Sequence, residues 1–379
     1  MDNNAVKKVM TFKSGNFIFS AKYNVSELNN LLLMARALYS TIAVVPLLPE
    51  WSTYLEEELI RRSIFSTAAI EGNPLKEEDV SKIIKQTDEG QKNNDATQAI
   101  VNLKAVYQYI KTIESIEDAP RLSEDFIRKS HRIITTGLHD ANNLPGKYRN
   151  QVVKVGDHAH GGIYTPPKCL PDIENLMKEF VKWINCKEVM AFDSFIRAAL
   201  AHYHLGLIHP FGNGNGRTIR IVEAMLLRTS GIKYVPTMLS NYYYRKIDDY
   251  YSAFSHTLKN PEHDVTPFLK FMLEGVIESL NEIKGNIYLR IRLLLLRDHC
   301  ASLKKQGSMT QRQYDLSSML LELLKPFTLK NLFDIPPYNA LYRNVGERTA
   351  RRDIAKLLEL KILLQKENGE YDLNLNALG

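Results

Sequence analysis

Residues 209–220 read His-Pro-Phe-Gly-Asn-Gly-Asn-Gly-Arg-Thr-Ile-Arg. Gly212, Gly214 and Gly216 alternate with Asn213 and Asn215, a composition that resists regular structure and exposes backbone N–H groups. An apolar helical run from Phe195 to Ile208 precedes the stretch, and another from Thr218 to Leu227 follows it. A glycine-rich loop that opens a helix aims unpaired N–H groups and a positive dipole end at one place, which favours an anion. Arg217 and Arg220 add two positive forks one helical turn apart, so a phosphate is the expected guest. His209, at the entrance, is the side chain best suited to accept a proton near neutral pH. A base against a phosphate cradle points to a hydroxyl activated to attack phosphorus. The plainer alternative is an ordinary helix–loop–helix connection in which His209 caps a carbonyl and the glycines turn the chain.

The twelve residues resemble the signature of the Fic family, H-x-F-x-(D/E)-G-N-G-R-x-x-R, and agree with it at His209, Phe211, Gly214, Asn215, Gly216, Arg217 and Arg220. The resemblance implies a mainly α fold with a short β-hairpin flap, and transfer of AMP from ATP to a Ser, Thr or Tyr hydroxyl of a target protein. His209 would be the general base. Gly212 and the N–H groups around Gly214 to Gly216 would cradle phosphates shaped by Asn215, and Arg217 and Arg220 would neutralise the outer ones. Asn213 departs from the pattern, occupying the slot of the acidic ligand for Mg2+ or Mn2+. A neutral amide offers one oxygen but not the charge of a carboxylate, so weak metal binding is expected there.

Far upstream, Ser66-Thr67-Ala68-Ala69-Ile70-Glu71-Gly72-Asn73 follows the amphipathic stretch Tyr54 to Phe65. Thr67 and Glu71 are four apart and share a helix face, with Gly72 and Pro74 ending the helix. Glu71 at a helix C-terminus opposes the dipole and calls for a cationic partner, unless it is simply solvated before a turn. The segment resembles the family's inhibitory motif, (S/T)-x-x-x-E-(G/N), in its N-terminal placement. By that resemblance Glu71 pairs with Arg220 and takes the place of the outer phosphate; reversal of the modification is a further activity it admits.

Between the motifs, Pro145 to Val155 and Ile163 to Pro167 read as a short hairpin around a Gly- and His-rich turn, or else as a surface excursion. Relatives use a hairpin here as a flap that docks the target segment. His158 and His160 within it lack a Cys or carboxylate cluster and read as solvated. Downstream, Tyr250 and Tyr251 are candidates to stack on a purine, although tyrosines at helical spacing more often pack.

The 379 residues exceed the size at which one core stops growing, so more than one unit is expected. Cys169, Cys186 and Cys300 lie far apart, which argues against disulfides or a zinc site. No signal peptide or membrane span is legible, so a cytoplasmic location without membrane partners is expected.

The net charge of +6 is modest, and its placement matters more than its sum. Arg348, Arg351, Arg352 and Lys356 occupy one face of an amphipathic helix whose other face is Ala350, Ile354, Leu357 and Leu358. Two strand-like runs around Asn368-Gly369 follow, a hairpin signal. Helix plus hairpin resembles a winged helix-turn-helix domain, which would lay the basic face in a DNA groove or else make protein contacts. Asp353 and Glu359 would blunt its field.

Four segments result: residues 1–90, helical with the inhibitory motif; 91–284, the Fic core; 285–312, a connecting helix broken near Gly285 and a linker from Gln306 to Gln313; and 313–379, the winged helix. The leading function is an autoinhibited protein adenylyltransferase with ATP, a hydroxyl-bearing protein, DNA and a second copy of the chain as candidate partners. The alternatives are transfer from another phosphate-containing donor, and a DNA-binding regulator that senses nucleotide without turnover. The polar run Thr87 to Asp95 reads as a loop.

Overall fold

The computed structural model describes residues 6–85, 94–113, 121–140 and 143–377. Apart from Asn94 and Asp95, the Thr87 to Asp95 run lies outside these residues. The chain divides into two units, Met1–Asn281 and Glu282–Gly379.

An antiparallel hairpin opens the first unit, β1 (Val6–Met10) against β2 (Asn16–Ser20). Its strands are too short, and Lys7 and Lys8 too disruptive, for alternation to announce it. Phe19 anchors the hairpin, fully buried with its ring centroid 5.4 Å from Trp183 and 6.0 Å from Phe180. Asp172 fixes the turn by accepting from the N–H groups of Phe12 and Lys13 and the hydroxyl of Ser14 at 2.6–3.0 Å.

Helices build the rest: α1 (Val25–Ala43), α2 (Pro49–Ile70), α3 (Glu77–Lys85), α4 (Asp95–Lys111), α5 (Glu124–Thr135), α6 (Leu170–Ile184), α7 (Lys187–Met190), α8 (Ser194–Ile208), α9 (Asn215–Thr229), α10 (Val235–Arg245) and α11 (Ile247–Leu258). Nearly every residue of α8 and α9 is buried, the mark of helices enclosed on all sides. α9 packs against α8, α10, α5, α4 and α2, so the loop that starts it lies where five helices converge. Of the N-terminal helices, α2 lies along α10. The aromatic run Asn241 to Arg245 is itself the end of α10; Pro236 interrupts the sequence pattern but sits in the first turn, where its missing N–H costs nothing.

A continuous helix, α12 (Thr266–Lys305), leaves the first unit for the second. It does not break at Gly285: one glycine costs a helix about 1 kcal/mol, and forty residues absorb that. In the second unit, α13 (Gln311–Leu323) begins inside the expected linker, because Thr310 and Gln313 form a reciprocal capping box. The short helices α14 (Asn331–Asp334) and α15 (Tyr338–Tyr342) follow, then α16 (Glu347–Glu359) and the hairpin β3 (Leu363–Gln365) with β4 (Tyr371–Leu373). Phe327 pairs with Tyr371 at the open edge of β4. Leu316, Leu320, Phe327, Leu332, Ile354 and Leu357 form this unit's core.

Candidate active site

His209 terminates α8 in the left-handed conformation, φ 48°, with its N–H bonded to Leu205 O at 3.0 Å. A non-glycine residue there is strained and persists only when its surroundings hold it. Arg149 does the holding. Buried to 3% exposure, its Nε donates to His209 O at 2.7 Å, its Nη1 to Gln151 O at 2.7 Å, and its own N–H to Pro210 O at 2.9 Å. Burial and the Arg149 charge push the His209 ring down to about 4, against the opposing effects of Glu71 and a hydrogen bond to the Gly206 backbone. The ring is therefore neutral at physiological pH and able to accept a proton.

The loop itself is tied from inside. Asn215 accepts from the Phe211 N–H at 3.0 Å through Oδ1 and returns an Nδ2 bond to Phe211 O at 2.8 Å. Phe211 stacks on His131, with centroids 3.7 Å apart and planes 2° from parallel. Gly214 adopts φ 74° at the start of α9, and a Cβ there would lie 2.9 Å from Thr135 Cγ2. The helix start leaves the N–H groups of Asn215, Gly216 and Arg217 without intrahelical acceptors. The N–H of Gly214 is not among them: it donates to Asn213 Oδ1 at 2.6 Å. Gly212 completes the turn before it.

That bond also corrects the expected role of Asn213. Its Oδ1 accepts from Gly214 and, at 3.3 Å, from Arg217 Nη2, while its Nδ2 donates to Asp140 Oδ2 at 2.8 Å. The amide oxygen is thus turned inward and is not offered to a cation. Among the described residues no group of three or more His, Cys, Asp or Glu side chains could hold a metal.

Glu71 caps α2, after which Gly72 turns at φ 81° with its N–H on Ala69 O at 2.9 Å. The Glu71 Oε1 accepts from Arg220 Nη2 at 2.7 Å, and the same guanidinium donates to Thr67 O at 3.2 Å. Any side chain on Gly216 would collide with the Glu71 carboxylate, so the carboxylate lies against the opening of α9. Burial raises the Glu71 carboxyl, but the Arg220 and Arg217 charges outweigh it and hold it below its ordinary value. Arg220 is 1% exposed at its side chain against 26% for Glu71. Buried Nε atoms of Arg217 and Arg220 lack a hydrogen-bond partner among the described residues. One anion already occupies a cradle whose donors exceed what it satisfies.

Tyr250 is not available to stack on a purine. It is 6% exposed, its ring stacks on Tyr243 at 5.0 Å, and its hydroxyl meets His202 Nε2 at 2.8 Å, in a network that continues from Tyr243 to Glu223. Tyr251 is half-buried, with its ring 5.3 Å from those of Tyr250 and His160, and burial and the Glu71 charge raise its phenol. The expected hairpin contracts to one antiparallel bridge, Val155 with Tyr164, because the turn between them is too long to propagate pairing. His160 is held rather than solvated, with Nδ1 on Asp157 and Nε2 on Asp248 of α11, both at 2.9 Å.

Two residues of the site escape a motif reading, Arg149 and His131. Arg149 lies in a run that resembles a strand, and His131 looks like one polar residue on an amphipathic helix.

Residues 121–227 match the family model described as the Fic/DOC family. The chain is 30% identical over 229 residues to a protein adenylyltransferase Fic of Aedes aegypti, covering 60% of this chain and 42% of that protein. With a protein adenylyltransferase Fic of Nematostella vectensis it shares 29% over 174 residues, 46% of this chain and 36% of the relative. The chain thus spans less than half the length of these curated relatives. A Fic family protein from Desulfovibrio desulfuricans superposes with TM-score 0.55 at 19% identity, over 91% of this chain and 95% of that one. A fragment of Fic-1 from C. elegans does so with TM-score 0.55 at 22% identity, over 69% and 74%. These likenesses establish the fold: a mainly helical chain with Fic-type architecture, in which residues 121–227 match the family model. Among the described residues no helix is long and apolar enough to cross a membrane.

Proposed function

We propose that the chain is a protein adenylyltransferase restrained by its own Glu71. The ion pair between Glu71 and Arg220 supports the reading, because its carboxylate would compete with the outer phosphate of ATP for that guanidinium. In the active arrangement the N–H groups of Asn215, Gly216 and Arg217 bind phosphate oxygens, with Arg217 and Arg220 neutralising their charge. His209 takes the proton of a Ser, Thr or Tyr hydroxyl; that oxygen bonds to the α-phosphorus, and the bond to the β-phosphate breaks, releasing pyrophosphate. A divalent cation, when bound, supplies positive charge to the departing phosphates. With Glu71 in place, ATP binds with its phosphates displaced from in-line attack, and lost near-attack geometry costs several kcal/mol of barrier. Removal of AMP with Glu71 positioning water is the reverse activity that the same residues support.

The test is to incubate the full chain and its Glu71→Gly form with ATP and Mg2+ or Mn2+, and to weigh the protein intact. The expected result is AMP attached to the variant and little on the parent. An equal or lower gain in the variant would refute the restraint.

For the second unit we propose a winged helix-turn-helix that contacts nucleic acid. Asp353, counted above against the basic face, is 3% exposed and turned inward onto Arg312 at 2.6 Å. Its charge is spent inside the unit, while Arg348, Arg351 and Arg352 remain exposed on α16. Salt-dependent binding of a DNA duplex by the full chain, weakened in Arg348→Ala/Arg352→Ala, supports this reading, and duplex binding insensitive to both salt and these changes overturns it.

A further inference from the structure

We propose that Asp140 supplies the acidic metal ligand that position 213 lacks, with Asn213 holding it at the edge of the phosphate cradle. The inference rests on the nucleotide reading of the site and names a residue that no motif contains.

The orientation of the Asn213 amide follows from its neighbours. Two donors, the Gly214 N–H at 2.6 Å and Arg217 Nη2 at 3.3 Å, require the oxygen on their side. The NH2 group then faces Asp140, whose Oδ2 accepts from it at 2.8 Å. An amide can meet both demands because it carries a donor and an acceptor, whereas an aspartate at 213 would bring two carboxylate oxygens to hydrogen-bond distance with no proton between them. Asn213 and Asp140 therefore make one arrangement, and an acid at 213 makes another. In the first, the negative charge moves one hydrogen bond outward and is not lost.

The segment after α5 is built to hold this position. Asn143 Oδ1 accepts from the Asn213 N–H at 3.2 Å, and the Asn143 N–H closes a turn onto Asp140 O at 3.1 Å. Asp140 is half-buried, and its charge reaches Arg217, one of the two phosphate forks. A carboxylate so placed suits a cation that takes its other ligands from phosphate oxygens and water.

The experiment uses the full chain in the Glu71→Gly background, with ATP titrated calorimetrically in EDTA and again in Mn2+. The quantity read is the gain in ATP affinity that Mn2+ confers. Asp140→Asn is expected to reduce that gain, read as the ratio of affinities in Mn2+ and in EDTA for the same variant, about tenfold, the scale of losing an oriented partner in a metal site. Exchanging the pair, Asp140→Asn with Asn213→Asp, is expected to restore the gain, which guards against a variant that merely misfolds. An undiminished gain in Asp140→Asn overturns the assignment. Absence of ATP binding in EDTA by every form overturns the phosphate reading itself.

Discussion

His131 and Phe211 lie face to face, 3.7 Å between centroids, and the same imidazole bridges two loops: Nδ1 accepts from the Gly146 N–H and Nε2 donates to Asn213 O, both at 2.9 Å. Both ring nitrogens are committed in the neutral tautomer, so the ring must shed its charge to hold the cradle. Burial accordingly pushes it down to about 4.

That depression predicts a pH dependence of stability. A histidine whose folded value is about 4 and whose unfolded value is near 6.5 is protonated more readily in the unfolded chain. Its stabilising contribution is present above pH 6.5 and is lost as pH falls toward 4. The slope reaches about 1.4 kcal/mol per pH unit for each such group. His204 and His209, also lowered to about 4 by burial, add to it. Urea midpoints measured between pH 7 and 4 should fall steadily, and His131→Gln should flatten the curve. A midpoint independent of pH in that window would contradict the assignment.

Replacing Arg149 tests how His209 is held. Arg149→Lys keeps the charge but cannot make the three carbonyl bonds of the guanidinium, to His209, Gln151 and Ile208. In the Glu71→Gly background, self-modification should slow about 100-fold, the scale of an ångström-sized misplacement of a reacting group. The ATP concentration at half-maximal rate should hardly change. Equal losses in rate and in ATP affinity would instead place Arg149 on the nucleotide.

Glu71→Gln separates charge from shape. It leaves the nearly inaccessible Arg220 without its anion, so the free protein should lose about 1–3 kcal/mol of stability. ATP should return most of that loss by supplying phosphate charge. Thermal unfolding with and without ATP measures this as a larger shift in the variant than in the parent. Identical shifts would mean that Glu71 and phosphate do not compete.

In the second unit, Asp353 accepts from Arg312 Nε at 2.6 Å, Gln313 Nε2 at 3.0 Å and Tyr342 Oη at 3.2 Å. Asp353→Ala strands the Gln313 and Tyr342 donors and should cost about 1–3 kcal/mol, the range for buried groups left without a partner. Limited proteolysis should then cut within residues 282–379 while the Fic domain persists. A variant as resistant as the parent would show the network to be dispensable.

Local chemistry made much of this molecule legible. The spacing of His209, Gly214, Asn215, Gly216, Arg217 and Arg220 is a property of twelve consecutive residues, and a helix that must begin at a glycine loop exposes its N–H groups whatever surrounds it. The end of α2 at Gly72 follows likewise from a residue that alone enters the left-handed region at no steric cost. The capping box at Thr310 and Gln313 was equally local, and its T-x-x-Q spacing marks a helix start within what reads as a linker.

Other features belong to no segment. Tyr250 and Tyr251 are adjacent and chemically identical, yet packing of α11 on α10 buries the first against Tyr243 and leaves the second half-buried beside His160. The pairing of Asn213 with Asp140, the clamp of Arg149 on His209 and the stack of His131 on Phe211 each join residues more than fifty positions apart. Sequence by itself determined which N–H groups and guanidinium forks gather at one loop, because that depends on backbone conformation and charge within a few residues. Only the tertiary structure decided which carboxylates face the cradle and which histidine is held neutral, since burial and through-space charge are set by how the helices converge.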